Sequence, residues 1–310
     1  VVIADYLNII ETFAEKNNII AGVCHAAPMD SGWLSASPFV PFVSADLQKR
    51  TDPSATLTGV KSIIVIGVAP QGEGLAPAGN SQSGQLSSLG VDSDYHVVVR
   101  GLLRELVDEL KTLGAFRYKI LVDGSGLDER ALAERAGLGF FGRNGLIISE
   151  KFGSRFNIGC VLTDLELPPN LKSQSFFVEG GSGGDPFFSK KGSPPENLSC
   201  PPDCNLCVKS CPTGALGGVG LDAARCISYL TQKEELSEEE EKMLFGQLYG
   251  CDICQNVCPF NKKRKVATVN VKEWIEMSDA DFRDKYGHSA MLWRGTEVLK
   301  RNAKAILKRL

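Results

Sequence analysis

Eight of the ten cysteines in this 310-residue chain fall between positions 200 and 258. They read Cys200, then Cys204-x2-Cys207-x3-Cys211-Pro212, then Cys226, then Cys251-x2-Cys254-x3-Cys258-Pro259. One pattern, Cys-x2-Cys-x3-Cys-Pro, therefore occurs twice. Dense cysteines form disulfide frameworks in small secreted domains that cannot build a core. This chain is long and 43% apolar, enough for its own cores. Its start, Val-Val-Ile-Ala-Asp-Tyr, shows no basic n-region or apolar h-region. A cytoplasmic setting is expected, and there such clustering reads as metal rather than disulfide. No apolar run reaches the ~18 residues of a membrane span, so no membrane partner is expected.

The choice of metal rests on the Cys-Pro ends. Structural zinc uses Cys-x2-Cys knuckles in sets of four, but has no use for the proline. A double iron–sulfur module does: three thiolates on a tight loop cap one cube, and the cysteine before proline ligates the other. Proline there opens the next helix without wasting a donor. Each half needs a further cysteine. Cluster one takes Cys200, Cys204, Cys207 and Cys258, although Cys200 is spaced one residue wider than the usual run. Cluster two takes Cys211, Cys226, Cys251 and Cys254. Two [4Fe–4S] clusters in tandem make an electron wire. Cys24 and Cys160 lie in apolar strand contexts and read as buried, inert thiols.

Periodicity organises the rest. Residues 4–16 place Leu7, Ile10, Phe13 and Ala14 on one helical face. Residues 19–24 and 61–69 read as buried strands, the latter apolar enough to be covered on both faces. Residues 70–93 read as a long loop. Residues 94–113 form a helix striped by Val98, Leu102, Leu106 and Leu110 and capped by Asp94. Strands follow at 118–122, 145–149 and 156–163, with a helix at 128–136. Alternation of strands and helices predicts an α/β domain over 1–168. A Gly/Ser/Pro-rich linker spans 169–199, the ferredoxin-like double-cluster module 200–261, and a tail of a loop and one or two helices 262–310. The tail carries 13 Lys/Arg against 6 Asp/Glu, although the whole chain is net −3. That surplus reads either as a solvated helix face or as a phosphate-contacting surface.

The stretch from Leu121 to Asp164 opens Leu-Val-Asp-Gly-Ser-Gly-Leu-Asp-Glu-Arg and continues through Gly-Phe-Phe-Gly-Arg-Asn-Gly-Leu-Ile-Ile-Ser to Asn-Ile-Gly-Cys-Val-Leu-Thr-Asp. It resembles the epoxyqueuosine reductases, corrinoid iron–sulfur enzymes of tRNA modification. The resemblance continues in Gln-Lys-Arg-Thr-Asp-Pro at 48–53, Asp-Tyr-His at 94–96, Arg-Cys-Ile-Ser-Tyr-Leu-Thr-Gln at 225–232, Leu-Tyr-Gly-Cys-Asp-Ile-Cys-Gln at 248–255, and Arg301-Asn302. It implies that the α/β domain binds cobalamin beside the nearer cluster. It implies reduction of the epoxide of epoxyqueuosine at the tRNA wobble position to queuosine and water. The matching roles make Asp123 the proton donor and a cofactor contact. Arg50, Arg143, Asn144, Ile147, Ser149, Ile158 and Ser228 become further corrinoid contacts. Longer members carry a C-terminal helical-repeat domain that grips tRNA. This chain resembles a short form, whose basic tail is expected to take over part of that grip.

Two electrons and two protons are required, and the opened oxygen needs a general acid. An ordinary aspartate is ionised at neutral pH. Asp123 is therefore expected to be buried against corrinoid and substrate, its pKa raised by desolvation; the plainer reading is a turn cap. Arg50 could also be an ordinary surface ion pair. His96 and Tyr95, at a helix start, read as core or cap residues, and no protein ligand to cobalt is expected. The partners expected are the tRNA anticodon loop and an electron donor such as flavodoxin or ferredoxin. Two alternatives stand beside this reading: a corrinoid iron–sulfur reductase of a small organohalide or other epoxide, and an electron-transfer or corrinoid-reactivating protein.

Overall fold

The apolar run Ser-Ile-Ile-Val-Ile-Gly-Val becomes the central strand of a four-stranded sheet. The computed structural model describes residues 3–29, 44–70, 82–124, 126–169, 199–217 and 220–309. Most of the linker at 169–199, and residues 71–81 of the 70–93 stretch, lie outside the described residues.

The sheet is built from β1 (Ile20–His25), β2 (Ser62–Val68), β4 (Tyr118–Leu121) and β7 (Asn157–Thr163), in the order β1-β2-β7-β4. All three pairings are antiparallel. Alternating strands and helices here do not produce a parallel sheet. Every residue of β2 is buried, because each face has its own helices. Ile64, Ile66 and Val68 pack with α1 (Ile3–Lys16) and α4 (Tyr95–Lys111). Ile63 and Val65 pack on the other side with Leu132 and Ala133 of α5 (Glu129–Arg135). The buried stripe of α4 is Val99, Leu103, Leu106, Val107 and Leu110. It is rotated from the expected one, and Val98 and Leu102 are only partly buried. The helix approaches β7 over Gly159, where a Cβ would lie 2.4 Å from Val99 Cγ1.

Cys24 and Cys160 sit fully buried on the α5 face. Burial pushes the Cys24 thiol up to about 12, which fits an inert group.

A second sheet lies partly within the stretch read as a loop. Its strands are β3 (Ser83–Leu86), β8 (Gln247–Tyr249) and β9 (Ala267–Asn270), with β3 in the centre. It pairs parallel to β8 and antiparallel to β9. The short α3 (Ser88–Val91) follows β3. The tail holds more than a loop and one or two helices: after the strand β9 come the α-helices α10 (Val271–Glu276), α11 (Asp279–Tyr286) and α12 (Thr296–Leu307). Trp274, Phe282 and Tyr286 form an aromatic core there, and Trp274 Nε1 donates to the Tyr286 hydroxyl at 3.1 Å. The tail, β3 and β8 thus share one core.

Candidate functional site

One end of the main sheet opens into a cleft of about 1820 Å³, measured with its mouth. Its rim is set by the ends of β2 and β4 and the start of β7, so that Pro70, Asp123, Asn157 and Ile158 line it. The short helix α2 (Leu47–Thr51) supplies Lys49 and Arg50. Asp46 caps α2, accepting from the backbone N of Gln48 and Lys49. The Arg50 carbonyl accepts from the Asp128 N at 3.1 Å, which ties α2 to the start of α5. The hairpin of β5 (Phe140–Phe141) and β6 (Ile147–Ile148) adds Leu146 and Ile147.

At the wall, Asp123 adopts a left-handed backbone, φ 52°, which aspartate tolerates better than most residues. Its N–H donates to Glu129 Oε1 at 2.8 Å. The Tyr95 hydroxyl donates to Asp123 Oδ2 at 2.5 Å. His96 Nε2 lies 3.8 Å from that same oxygen, and His96 Nδ1 lies 2.8 Å from Asp94 Oδ1. Asp94 also caps α4, accepting from the His96 N–H. One capped helix start thus presents Tyr95 and His96 together to Asp123. The Asp123 side chain is 66% exposed. It accepts from Tyr95 rather than capping a turn, and any burial must come from what fills the cleft. The more enclosed acid at this wall is Glu129, half-buried beside Asp123. Desolvation, then the neighbouring Asp123, push it up to about 8. Burial, and then Asp123, also hold Tyr95 far above the usual phenol range, so it remains a donor.

The thiols fall into two groups. Cys200, Cys204, Cys207 and Cys258 line one pocket of about 290 Å³ with Arg143, Asn144 and Ile148. Burial raises Cys207, and the nearby thiols of Cys200 and Cys204 add to the shift. Around the second group, burial raises Cys251 to about 12, and Cys226 and Cys211 contribute. Cys254 is raised by burial, then by Cys251 and Cys226. Among the described residues no three His, Cys, Asp or Glu side chains converge on a single-ion site.

Arg50, Asp123, Ile147 and Ile158 come together in the cleft. Arg143 and Asn144 lie on the far side of the hairpin, against the cluster-one thiols. The Arg143 N–H points to Cys200 Sγ at 3.4 Å. Ser149 is buried in a turn, its hydroxyl donating to the Gly153 carbonyl. The Ser228 backbone N–H faces the Cys226 thiol. Arg50 Nε and Asn144 Nδ2 are buried without a partner. The enclosed part of the cleft, about 670 Å³, is within the ~300–1,000 Å³ of small-molecule sites, and its wide mouth leaves room for a larger group to protrude. The orphaned guanidinium nitrogen of Arg50 and walls that mix apolar and polar side chains fit an amide-bearing macrocycle such as a corrinoid.

The module is held to the domain by polar contacts beside the cleft. Arg155, 7% exposed in its side chain, lies 3.4 Å from Asp252 Oδ2 and donates to Asn256 Oδ1 at 2.5 Å. Ser154 N donates to Asn261 Oδ1 at 2.7 Å, and Ser154 Oγ to Gln255 Oε1 at 3.1 Å.

Residues 50–124 match the family described as "Epoxyqueuosine reductase QueG, DUF1730", and residues 200–261 match the "4Fe-4S double cluster binding domain". An epoxyqueuosine reductase of Bacillus cereus is 33% identical over 88% of this chain and 74% of its own length. The chain belongs to the epoxyqueuosine reductase family. A crystal structure of an epoxyqueuosine reductase with a tRNA-Tyr epoxyqueuosine-modified stem loop superposes with a TM-score of 0.83 at 29% identity, covering 99% of this chain and 82% of that one. The Bacillus subtilis enzyme, captured with its catalytic aspartate loop swung out of the active site, gives 0.81 at 29% identity, with the same coverage. Epoxyqueuosine reductases are oxidoreductases that depend on cobalamin and [4Fe–4S] clusters, and both cofactors belong to this chain's chemistry.

Two features of this epoxyqueuosine reductase relative were not legible in the sequence. Glu129 is one acid among several near a helix start, and only the fold puts it beneath Asp123. Arg155 and Asp252 are 97 residues apart, with no local pattern linking them.

Proposed function

We propose that this chain reduces the epoxide of epoxyqueuosine at the wobble position of tRNA, giving queuosine and water. The observation that carries the reading is the cleft itself. An acid reaches into it from one wall, and another wall, the β5–β6 hairpin, carries the cluster-one thiols on its back. When bound, cobalamin supplies a reduced metal centre nucleophilic enough to open a C–O bond, fed with electrons through two [4Fe–4S] clusters.

The protein's own residues do the rest. Cys200, Cys204, Cys207 and Cys258 hold one cluster; Cys211, Cys226, Cys251 and Cys254 hold the other. The Arg143 N–H, aimed at Cys200 Sγ, stabilises charge on that sulfur. Arg50, Ile147 and Ile158, which line the cleft, would hold the corrinoid, and Asn144, Ser149 and Ser228 would add further polar contacts to it. Asp123 gives its proton to the opened oxygen, held in place by Tyr95. Lys262, Lys263 and Lys265 are exposed beside the module and contact the phosphates of the anticodon arm. No helix among the described residues is long and apolar enough to cross a membrane. Work on tRNA in the cytoplasm, with a flavodoxin or ferredoxin as donor, fits this.

Expression in a bacterium lacking its own epoxyqueuosine reductase tests the reading. Queuosine should replace epoxyqueuosine in the tRNA with the parent chain and not with Asp123→Asn. Epoxyqueuosine persisting with the parent chain, present with its clusters, would reject it.

A further inference from the structure

The reaction consumes two protons with its two electrons as the epoxide oxygen leaves as water. Asp123 is two-thirds exposed, so the fold itself does not shield its carboxyl from water. Glu129 is a different kind of acid. It lines the same cleft, lies beneath Asp123, and accepts the Asp123 N–H at 2.8 Å.

We propose that Glu129 stores the proton that Asp123 delivers, and that it fixes Asp123 in its delivering position through that backbone hydrogen bond. The inference rests on Asp123 being the donor. The geometry supplies both roles. One Glu129 oxygen is committed to the Asp123 N–H, which anchors the left-handed turn at 123. The carboxyl can carry a proton on its other oxygen without breaking that bond. The groups around it favour the neutral form. Burial is the largest cause, and Asp123 and Asp128 also oppose ionisation, against the Asp123 N–H bond and Arg100, whose guanidinium donates to the Val122 carbonyl, which favour the charged form. Tyr95 from α4 and Cys160 from β7 face it as neutral groups. On balance Glu129 is pushed up to about 8. The Asp123 carboxylate is near enough to oppose the ionisation of Glu129, and carboxyls that interact in this way share their protons as a pair.

The transfer is balanced without a further reactant. The O–H bond on Glu129 breaks and one forms on the Asp123 carboxylate, directly or through a cleft water. Asp123 then protonates the opened oxygen, and Glu129 is recharged from solvent. Glu129 acts through Asp123 and is a positioning and proton-storing residue.

The test uses anaerobically reconstituted holoenzyme with iron and corrinoid content checked. Infrared spectroscopy at neutral pH should show a protonated-carboxyl band that is retained in Asp123→Asn and absent from Glu129→Gln, which keeps the acceptor for the Asp123 N–H. The band should titrate away one unit above the pKa, at about pH 9. On epoxyqueuosine-modified stem loop, Glu129→Gln should lose at least about tenfold in kcat at neutral pH. Its KM should be unchanged, with its basic limb displaced to lower pH. Glu129→Asp should restore the band and part of the rate. A band lost from Asp123→Asn but not from Glu129→Gln, or a Glu129→Gln pH profile identical to the parent, would overturn the proposal. Parental turnover by Asp123→Asn would instead overturn the donor reading, while the infrared assignment still decided where the proton resides.

Discussion

Asp123 combines three properties seldom found in one residue: a left-handed backbone, an exposed carboxylate and a short hydrogen bond from a half-buried tyrosine. Non-glycine residues in that backbone region cost ~1–3 kcal/mol and persist where surroundings enforce them. Asparagine tolerates the same backbone, so Asp123→Asn should fold and keep its cofactors while turnover falls at least about a hundredfold, measured at matched iron and corrinoid content. Glu129 makes a stability prediction of its own. Its ordinary value is 4.5 and its folded value about 8. Between those pH values the folded chain holds a proton that the unfolded chain has released, so stability falls as pH rises through the window. Glu129→Gln removes that slope. Its Tm relative to the parent should rise on going from pH 4.5 to pH 8, by something on the order of a few degrees, read by scanning calorimetry. The sequence made Asp123 legible because a carboxylate at a strand end is already a catalytic pattern. It could not expose Glu129, whose burial is a property of packing.

At the scale of elements, the start of α4 does two jobs with one residue. Asp94 caps the helix through the His96 N–H and holds the His96 ring beside Asp123. Asp94→Ala should cost about 1 kcal/mol of stability and lower kcat by more than that loss of folded protein explains; denaturant melts and kinetics on the same samples would show it. The β5–β6 hairpin, which separates cleft from cluster-one thiols, has no room to move. A Cβ on Gly139 would lie 2.2 Å from the Ile148 carbonyl oxygen. Gly139→Ala should displace the hairpin and weaken corrinoid retention several-fold in equilibrium dialysis. The buried strands and helices of the main sheet were legible from apolar runs and helical periodicity. Strand β3, Ser-Gly-Gln-Leu, was not: it has little β-propensity, and its partner β8 lies about 160 residues away in the chain.

For the whole molecule, the proposed electron path relies on a ligand set that crosses the two motifs and on the clamp that docks the module. Cys211 sits in the first motif but in the second group of thiols, coupled to Cys226 and Cys251. Cys211→Ala should therefore remove the cluster held by Cys226, Cys251 and Cys254, lowering iron from about eight per chain toward four. Residual magnetic resonance should belong to the other cube. The two Cys-x2-Cys-x3-Cys-Pro runs were readable from spacing alone, because a thiolate loop and a Cys-Pro helix start leave few geometric choices. Docking through Arg155 and Asp252 was not, because it joins surfaces remote in sequence.

The central claim is that this cleft, its acid and its two groups of thiols serve one reaction on tRNA. The most direct measurement is mass spectrometry of nucleosides from epoxyqueuosine-containing tRNA after incubation with the reduced, fully reconstituted protein. The account predicts conversion of the modified nucleoside to one lighter by a single oxygen, dependent on Asp123. Unchanged epoxyqueuosine, with both clusters and corrinoid present and reduced, would contradict it.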